Sequence, residues 1–120
     1  MVKQETVLVN LQTLNGFVEK EYTIIIGQNA KENTQIIKDS HPENIWFHLS
    51  SSSSAHIILQ NEGDLIPKRY LNQIAGKLFK YKKNAPIQDV IYTEIKNVKL
   101  TSTPGLVLPS NLKIIQFNLY

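Results

Sequence analysis

Hydrophobic residues in this chain recur at two periods, and the switches between them mark most of its elements. Residues 6–11 alternate apolar and polar side chains as a strand does, and residues 22–26 form a short β-branched run. Asn15-Gly16 lies between them, a pair that tolerates positive φ in tight turns, so the two runs predict an N-terminal hairpin. Gly27-Gln28-Asn29 ends its second strand. Residues 31–38 read as a short helix with Ile36 and Ile37 as its apolar contacts. His41-Pro42 closes that segment, because the residue before a proline is pushed out of the helical region.

Residues 45–49 and 55–60 predict a second hairpin, joined by the serines Ser50 to Ser54. Pairing Leu49 with Ala55 sets His48 opposite His56 and Trp46 opposite Ile58, with all four on one face of the sheet. Ile45, Phe47, Leu49, Ile57 and Leu59 occupy the other face, the better candidate for the core. Pro67 suits the first turn of a helix over residues 67–81. On that helix Tyr70, Leu71, Ile74, Leu78 and Tyr81 fall within an arc of about 100°. Arg69, Gln73, Gly76, Lys80 and Lys83 fall opposite, with Lys77 at the border. Four further strand-like runs follow, over residues 89–95, 98–100, 106–108 and 112–119. Two helices among six or seven mostly adjacent strands predict an α+β domain built on a mostly antiparallel sheet, its longer helix amphipathic and basic.

The chain has 120 residues, the length of one domain spanning residues 1–120. Its 42% hydrophobic and 19% charged residues are a globular balance that excludes bulk disorder. There is no cysteine, which removes disulfides, zinc fingers and thiolate nucleophiles and favours a reducing compartment. No apolar run reaches membrane-spanning length, and the N-terminus lacks the apolar core of a signal peptide, so a cytoplasmic protein without membrane contact is expected. The net charge of +3 is unevenly distributed. Residues 65–88 hold six bases (Lys68, Arg69, Lys77, Lys80, Lys82 and Lys83) and no acid, leaving seven bases against ten acids elsewhere. Such a segment is either a solvated helix face or a surface for a polyanion.

Catalytic signatures are lacking: there is no nucleophile elbow, no triad spacing, no paired carboxylates and no phosphate loop at Gly27-Gln28-Asn29. No enzyme activity and no cofactor are expected. His48 and His56 fall short of the three or four ligands a metal needs, with only His41 as a further histidine. They are either hydrogen-bonded structural groups or ligand contacts that stack on a base or donate to phosphate. Trp46, the sole tryptophan, is either core or, on an open face with the two histidines, a stacking platform for an unpaired base. The serine run reads as a flexible hairpin loop, with phosphate binding by its hydroxyls and N–H groups as the alternative.

The blocks Gly27-Gln28-Asn29, Glu32-Asn33, Ile45-Trp46-Phe47-His48-Leu49 and Ser53-Ser54-Ala55-His56-Ile57 together resemble the NFACT-R domain, the RNA-binding module of the NFACT proteins of ribosome-associated quality control. The resemblance continues through Ile66-Pro67, Val90-Ile91-Tyr92-Thr93, Asn97-Val98-Lys99 and Pro104-Gly105, and runs from about Tyr22 to the C-terminus. It is nearest to the stand-alone eukaryotic members, in which a coiled coil follows the domain; the chain stops at Tyr120, so functions of a coiled coil are expected to be missing. Gln28 stands where the family usually has arginine or lysine, Asn44 where it has aspartate, and Leu100 where a second lysine is common.

The resemblance implies a non-catalytic module acting on RNA near the ribosome or tRNA. Lys68, Arg69, Lys77, Lys80, Lys82 and Lys83 are then expected on phosphates, and Trp46, His48 and His56 on bases or sugars, with Asn29 and Lys99 at the margin. Looped or unpaired RNA suits these groups better than a duplex. The competing expectation is a protein-interaction module whose basic helix docks on an acidic partner or on its own copy.

Overall fold

A computed structural model describes residues 2–82 and 86–117. The N-terminal hairpin forms from β1 (Lys3–Thr13) and β2 (Gly16–Gly27), both longer than the runs that predicted them. Gly16 takes a φ of +117° beside the turn, a value an L-residue rarely adopts. β3 (Ile45–Leu49) and β4 (His56–Leu59) make the second hairpin, with Trp46 opposite Ile58 and Phe47 opposite Ile57, the predicted register. β5 (Val90–Glu94) and β8 (Lys113–Ile115) extend it, giving an antiparallel six-stranded sheet of order β1-β2-β4-β3-β5-β8. β6 (Val98–Leu100) and β7 (Val107–Pro109) form a separate short ribbon. With helices α1 (Ala30–Lys38) and α2 (Lys68–Gly76) added, the fold is α+β. A 3-10 segment, Lys77–Tyr81, continues α2 to the end of the predicted helix.

Both faces of the central strands are buried. Phe47, Leu49, Ile57 and Leu59 pack under Tyr70, Leu71, Ile74 and Leu78 of the second helix and its extension. On the other face Trp46 and Ile58 pack under Ile36 and Ile37 of α1, joined by Ile95 and Val98. All four residues of β4 are buried, the pattern of a strand covered on both sides. Of the two readings of Trp46, the structure shows the core one and overturns the open-face platform, since its side chain is 1% exposed. The apolar pair of α1 needs a surface to cover, and the tryptophan face supplies it.

α1 is held at both ends of its first turn. The Asn29 side chain accepts from Glu32 N at 2.9 Å, and the Glu32 carboxylate accepts from Gln28 N at 3.0 Å, a reciprocal arrangement close to a capping box. Gly27 permits the approach of Asn33, whose Oδ1 would lie 2.4 Å from a Cβ at that position. Gly105, at φ +79°, lies against Ala30, 2.9 Å from where its own Cβ would be, and donates its N–H to Thr34 Oγ1 at 2.8 Å.

Candidate nucleic-acid interface

A cleft of about 500 Å³ opens where the N-terminus of α1 meets the serine loop and the end of the 3-10 segment. Gln28, Asn29, His48, Ser53, His56 and Lys82 are among its lining residues, with Tyr81 and Pro104-Gly105 at its border. These residues come from five separate stretches of the chain. The strand ends bring the histidines, the helix start brings Asn29, and the second helix brings Lys82.

The histidines are neutral groups with assigned roles. Trp46 Nε1 donates to His56 Nδ1 at 3.1 Å, so that nitrogen carries the lone pair and the neutral ring's proton sits on Nε2. Burial drives His56 down to about 3, with His48 nearby as the lesser cause. His48 Nδ1 lies 2.6 Å from Leu49 O, which can only accept, so Nδ1 donates and Nε2 is left as an acceptor. Burial lowers His48 as well, outweighing the Leu49 hydrogen bond, and Lys82 lowers it further. The two rings meet edge-on at 4.8 Å, while His48 stacks over the Trp46 indole at 5.6 Å. At neutral pH the pair offers hydrogen bonds and ring surface, and no charge.

Charge comes from the lysines. Lys82 Nζ donates to Ser53 O and lies 3.3 Å from Ser53 Oγ, which fixes it at the cleft. Glu5 accepts from the Tyr81 hydroxyl and from Lys77 Nζ at 3.0 Å, and those bonds hold its carboxyl below the usual range. Lys3 and Lys80 lie over the Tyr81 ring at 5.1 and 5.8 Å. One carboxylate thus faces Lys3, Lys77 and Lys80, leaving a positive surplus beside the cleft.

The basic segment is not one continuous face. Lys68 and Arg69 begin α2, roughly 20 Å from Lys82 at the rise of an α-helix followed by 3-10 geometry. Arg69 lies over the Tyr70 ring at 4.7 Å and donates to its hydroxyl at 3.2 Å. Lys68 lines a separate shallow pocket near Asp89. Lys99 is exposed on β6, away from the cleft lining, and Lys83 falls outside the described residues. The structure therefore gathers Asn29, His48, His56 and Lys82 at the cleft, sets Lys77 and Lys80 next to it, and puts Lys68, Arg69 and Lys99 elsewhere. Trp46 lies beneath the site as the support of both histidines.

The serine loop is pinned rather than flexible. Buried Gln88 accepts from Ser51 N at 2.7 Å and donates to Ser52 Oγ at 3.0 Å, and Ser54 Oγ accepts from Leu49 N at 3.2 Å. Sequence reasoning missed Gln88 because its partners lie more than thirty positions away. It also missed exposed Lys31, adjacent to Ala30 of the cleft lining; a base in the first turn of a helix, where the dipole favours acids, is the signal that marks it.

A family model described as "NFACT protein RNA binding domain" matches residues 14–112. The chain belongs to the NFACT-R family. Among its relatives, coiled-coil domain-containing protein 25 of Danio rerio is 34% identical over 73% of this chain and 46% of that protein. The Bos taurus protein is 38% identical over 68% of this chain and 42% of that protein. The Dictyostelium discoideum homolog is 32% identical over 83% and 53%, respectively. The chain spans about half the length of these relatives. The fold is shared with the C-terminal part of the fibronectin/fibrinogen-binding protein of Streptococcus suis, at a TM-score of 0.71 and 17% identity, over 92% of this chain and 44% of that one.

The family assignment places the Asn44 departure in a physical context. Its amide accepts from Glu62 N at 2.9 Å and donates to Ser40 Oγ at 2.9 Å, whereas an aspartate there accepts only. Asn44 thus ties the start of β3 to residues 40 and 62 as acceptor and donor at once. Gln28 lines the cleft as an uncharged side chain.

Proposed function

We propose that this NFACT-R domain is a non-catalytic module that binds single-stranded or looped RNA in the cleft at the start of α1. One observation carries the reading: residues from five blocks of the family resemblance (Gln28-Asn29, Asn33, His48, Ser53 to His56 and Pro104-Gly105), up to some eighty positions apart in sequence, line that single cleft. The α1 N-terminus, Lys82 and Lys31 suit a phosphate. His48 Nε2 suits a donor such as a ribose 2′-hydroxyl, which would favour RNA over DNA. Lys77 and Lys80 raise the local potential and speed encounter. A ribosomal RNA or tRNA target in ribosome-associated quality control, in the cytoplasm and without a cofactor, is the setting that family membership supports.

Docking of the basic helix on an acidic protein, or self-association through it, draws less support. Lys77 is already paired with Glu5, and Arg69 lies along Tyr70.

Fluorescence anisotropy with a short single-stranded RNA, its duplex and the matching DNA tests the proposal, at about 50 and 200 mM salt because phosphate contacts weaken steeply over that range. The single-stranded RNA should bind best. Lys80→Gln/Lys82→Gln should weaken it about ten-fold or more, and Lys68→Gln/Arg69→Gln should change it less than three-fold. Equal losses in both double variants, or no RNA binding at low salt, would overturn the assignment.

A further inference from the structure

β1 is the outer strand of the six-stranded sheet, and its far side carries no partner strand. The two-residue turn Leu14-Asn15 makes Thr13 and Gly16 a hydrogen-bonded pair. Odd-numbered residues of β1 therefore exchange main-chain bonds with β2, and even-numbered ones turn theirs outward. Two further bonds fix this phase. Asn10 N donates away from the sheet to the Tyr70 hydroxyl at 3.1 Å. Thr23 O, on the residue opposite Thr6, accepts from Gln60 N at 2.9 Å on the far side of β2. The main-chain N–H and C=O groups of Gln4, Thr6 and Leu8 thus point outward, and no hydrogen bond among the described residues reaches them.

Proline and β-bulges commonly blunt such an edge, and β1 has neither. Its pairing with β2 runs unbroken from Lys3 opposite Ile26 to Thr13 opposite Gly16, and Gln4, Thr6 and Leu8 are all exposed. Tyr70, whose hydroxyl also accepts from Arg69 at 3.2 Å, closes the row only at Asn10. The groups around the open row decide what it takes. On the α2 face Lys77 donates to Glu5 of β1 at 3.0 Å. Lys3 and Lys80 lie over the Tyr81 ring, whose hydroxyl donates to the same carboxylate, so three cations face one anion. On the other face Leu8 is 56% exposed and stands opposite Glu21 of β2. A second copy laid antiparallel on the row, Thr6 against Thr6, would set two such Glu5 clusters diagonally across from each other. Each carries a cationic surplus, so self-pairing is disfavoured.

We infer that the open edge of β1 takes an extended acidic peptide as an added strand. The peptide main chain pairs with the N–H and C=O groups of Gln4, Thr6 and Leu8. Its side chains alternate between the two faces. Carboxylates on the α2 face meet Lys3, Lys77 and Lys80, and uncharged side chains on the other face cover Leu8 and avoid Glu21. The docking element is a strand edge rather than the basic helix, and β1 precedes residues 14–112 of the family match. The inference does not rest on the RNA reading of the cleft.

Titrating the ¹⁵N-labelled 120-residue chain with a short peptide that alternates glutamate with threonine and valine tests the inference. The control is the same peptide with lysine in place of glutamate. The glutamate peptide should shift the amide signals of Gln4, Thr6 and Leu8, and the lysine peptide should bind about ten-fold more weakly. Thr6→Pro removes an outward N–H and no ladder bond, so it should abolish peptide binding while the amides of Tyr22 and Ile24 keep their exchange protection. Lys3→Gln, a change on an exposed side chain, should weaken the glutamate peptide several-fold and carries the test if Thr6→Pro fails to fold. Equal affinity for the two peptides, or no shifts in β1 up to about millimolar peptide, would overturn the proposal. A protected Thr6→Pro variant that binds like the parent would do the same. So would a dimer, seen by sedimentation, whose formation shifts these amides, since a second copy would then hold the edge. Single-stranded RNA that shifts them more than the cleft residues would assign the edge to RNA and likewise overturn it.

Discussion

His56 sits almost fully buried with its Nδ1 committed to the Trp46 indole, and that arrangement makes a measurable demand on pH. Its folded value, about 3, is far below the ordinary histidine value, so below pH 6.5 the unfolded chain takes up a proton that the folded chain refuses. Stability is therefore full above pH 6.5 and falls as pH drops from there toward 3, by about 1.4 kcal/mol per pH unit from this group. The lowering of His48 adds in the same direction. Urea unfolding between pH 7 and 5, above the range in which the carboxylates titrate, should show this slope, and His56→Gln should flatten it. A second expectation concerns Gly27, where an added Cβ meets Asn33 Oδ1 at 2.4 Å. Asn33 Oδ1 also accepts from His56 N at 3.3 Å, so Gly27→Ala should destabilise the fold by about 1–3 kcal/mol and weaken RNA binding with it. The sequence alone makes His48 and His56 neighbours, because strand register follows from pairing one residue of the hairpin. It does not show whether their face is open, because that depends on where α1 packs.

At the scale of elements, the serine loop and the basic helix both behave differently from their composition. Five successive serines lack apolar anchors, and the loop is ordered by Gln88 from the segment before β5 and by Lys82 from the end of the second helix. Gln88→Ala removes the partners of Ser51 N and Ser52 Oγ, so it should raise amide exchange in residues 50–54 and lower RNA affinity several-fold, while β1 and β2 keep their protection. Protection of the loop unchanged in that variant would show that other contacts order it. The amphipathic period of residues 67–81 was legible because apolar and basic positions separate cleanly on a helical wheel. How its cations are employed was not, since Glu5 of β1 and the Tyr70 and Tyr81 rings engage them from outside the helix's own polar face. α1 was legible in Ile36, Ile37 and the His41-Pro42 break, whereas its Asn29 cap and its contact with Gly105 were not.

The whole molecule is a sheet with a helix on each face and a cleft at one end of its central strands. Alternation within β3 and β4 left open whether the tryptophan face was exposed, and burial of all of β4 shows that both faces are covered. Six cations in one segment left open a solvated face or a polyanion surface, and the fold divides them, with Lys68 and Arg69 at the start of α2 and Lys77, Lys80 and Lys82 in or after its 3-10 extension. Binding at such a surface should show a salt slope of about −0.7 per phosphate engaged by single-stranded RNA. A slope between −2 and −4 is expected from Lys82 with its lysine neighbours; a slope near zero would mean that hydrogen bonds, not phosphate contacts, dominate. The most direct test of the central claim is a map of amide shifts in the ¹⁵N-labelled chain during titration with single-stranded RNA. The account predicts the largest changes at Gln28, Asn29, His48, Ser53, Ser54 and Lys82. Changes confined to Lys68, Arg69 and their neighbours at the other end of α2 would contradict it.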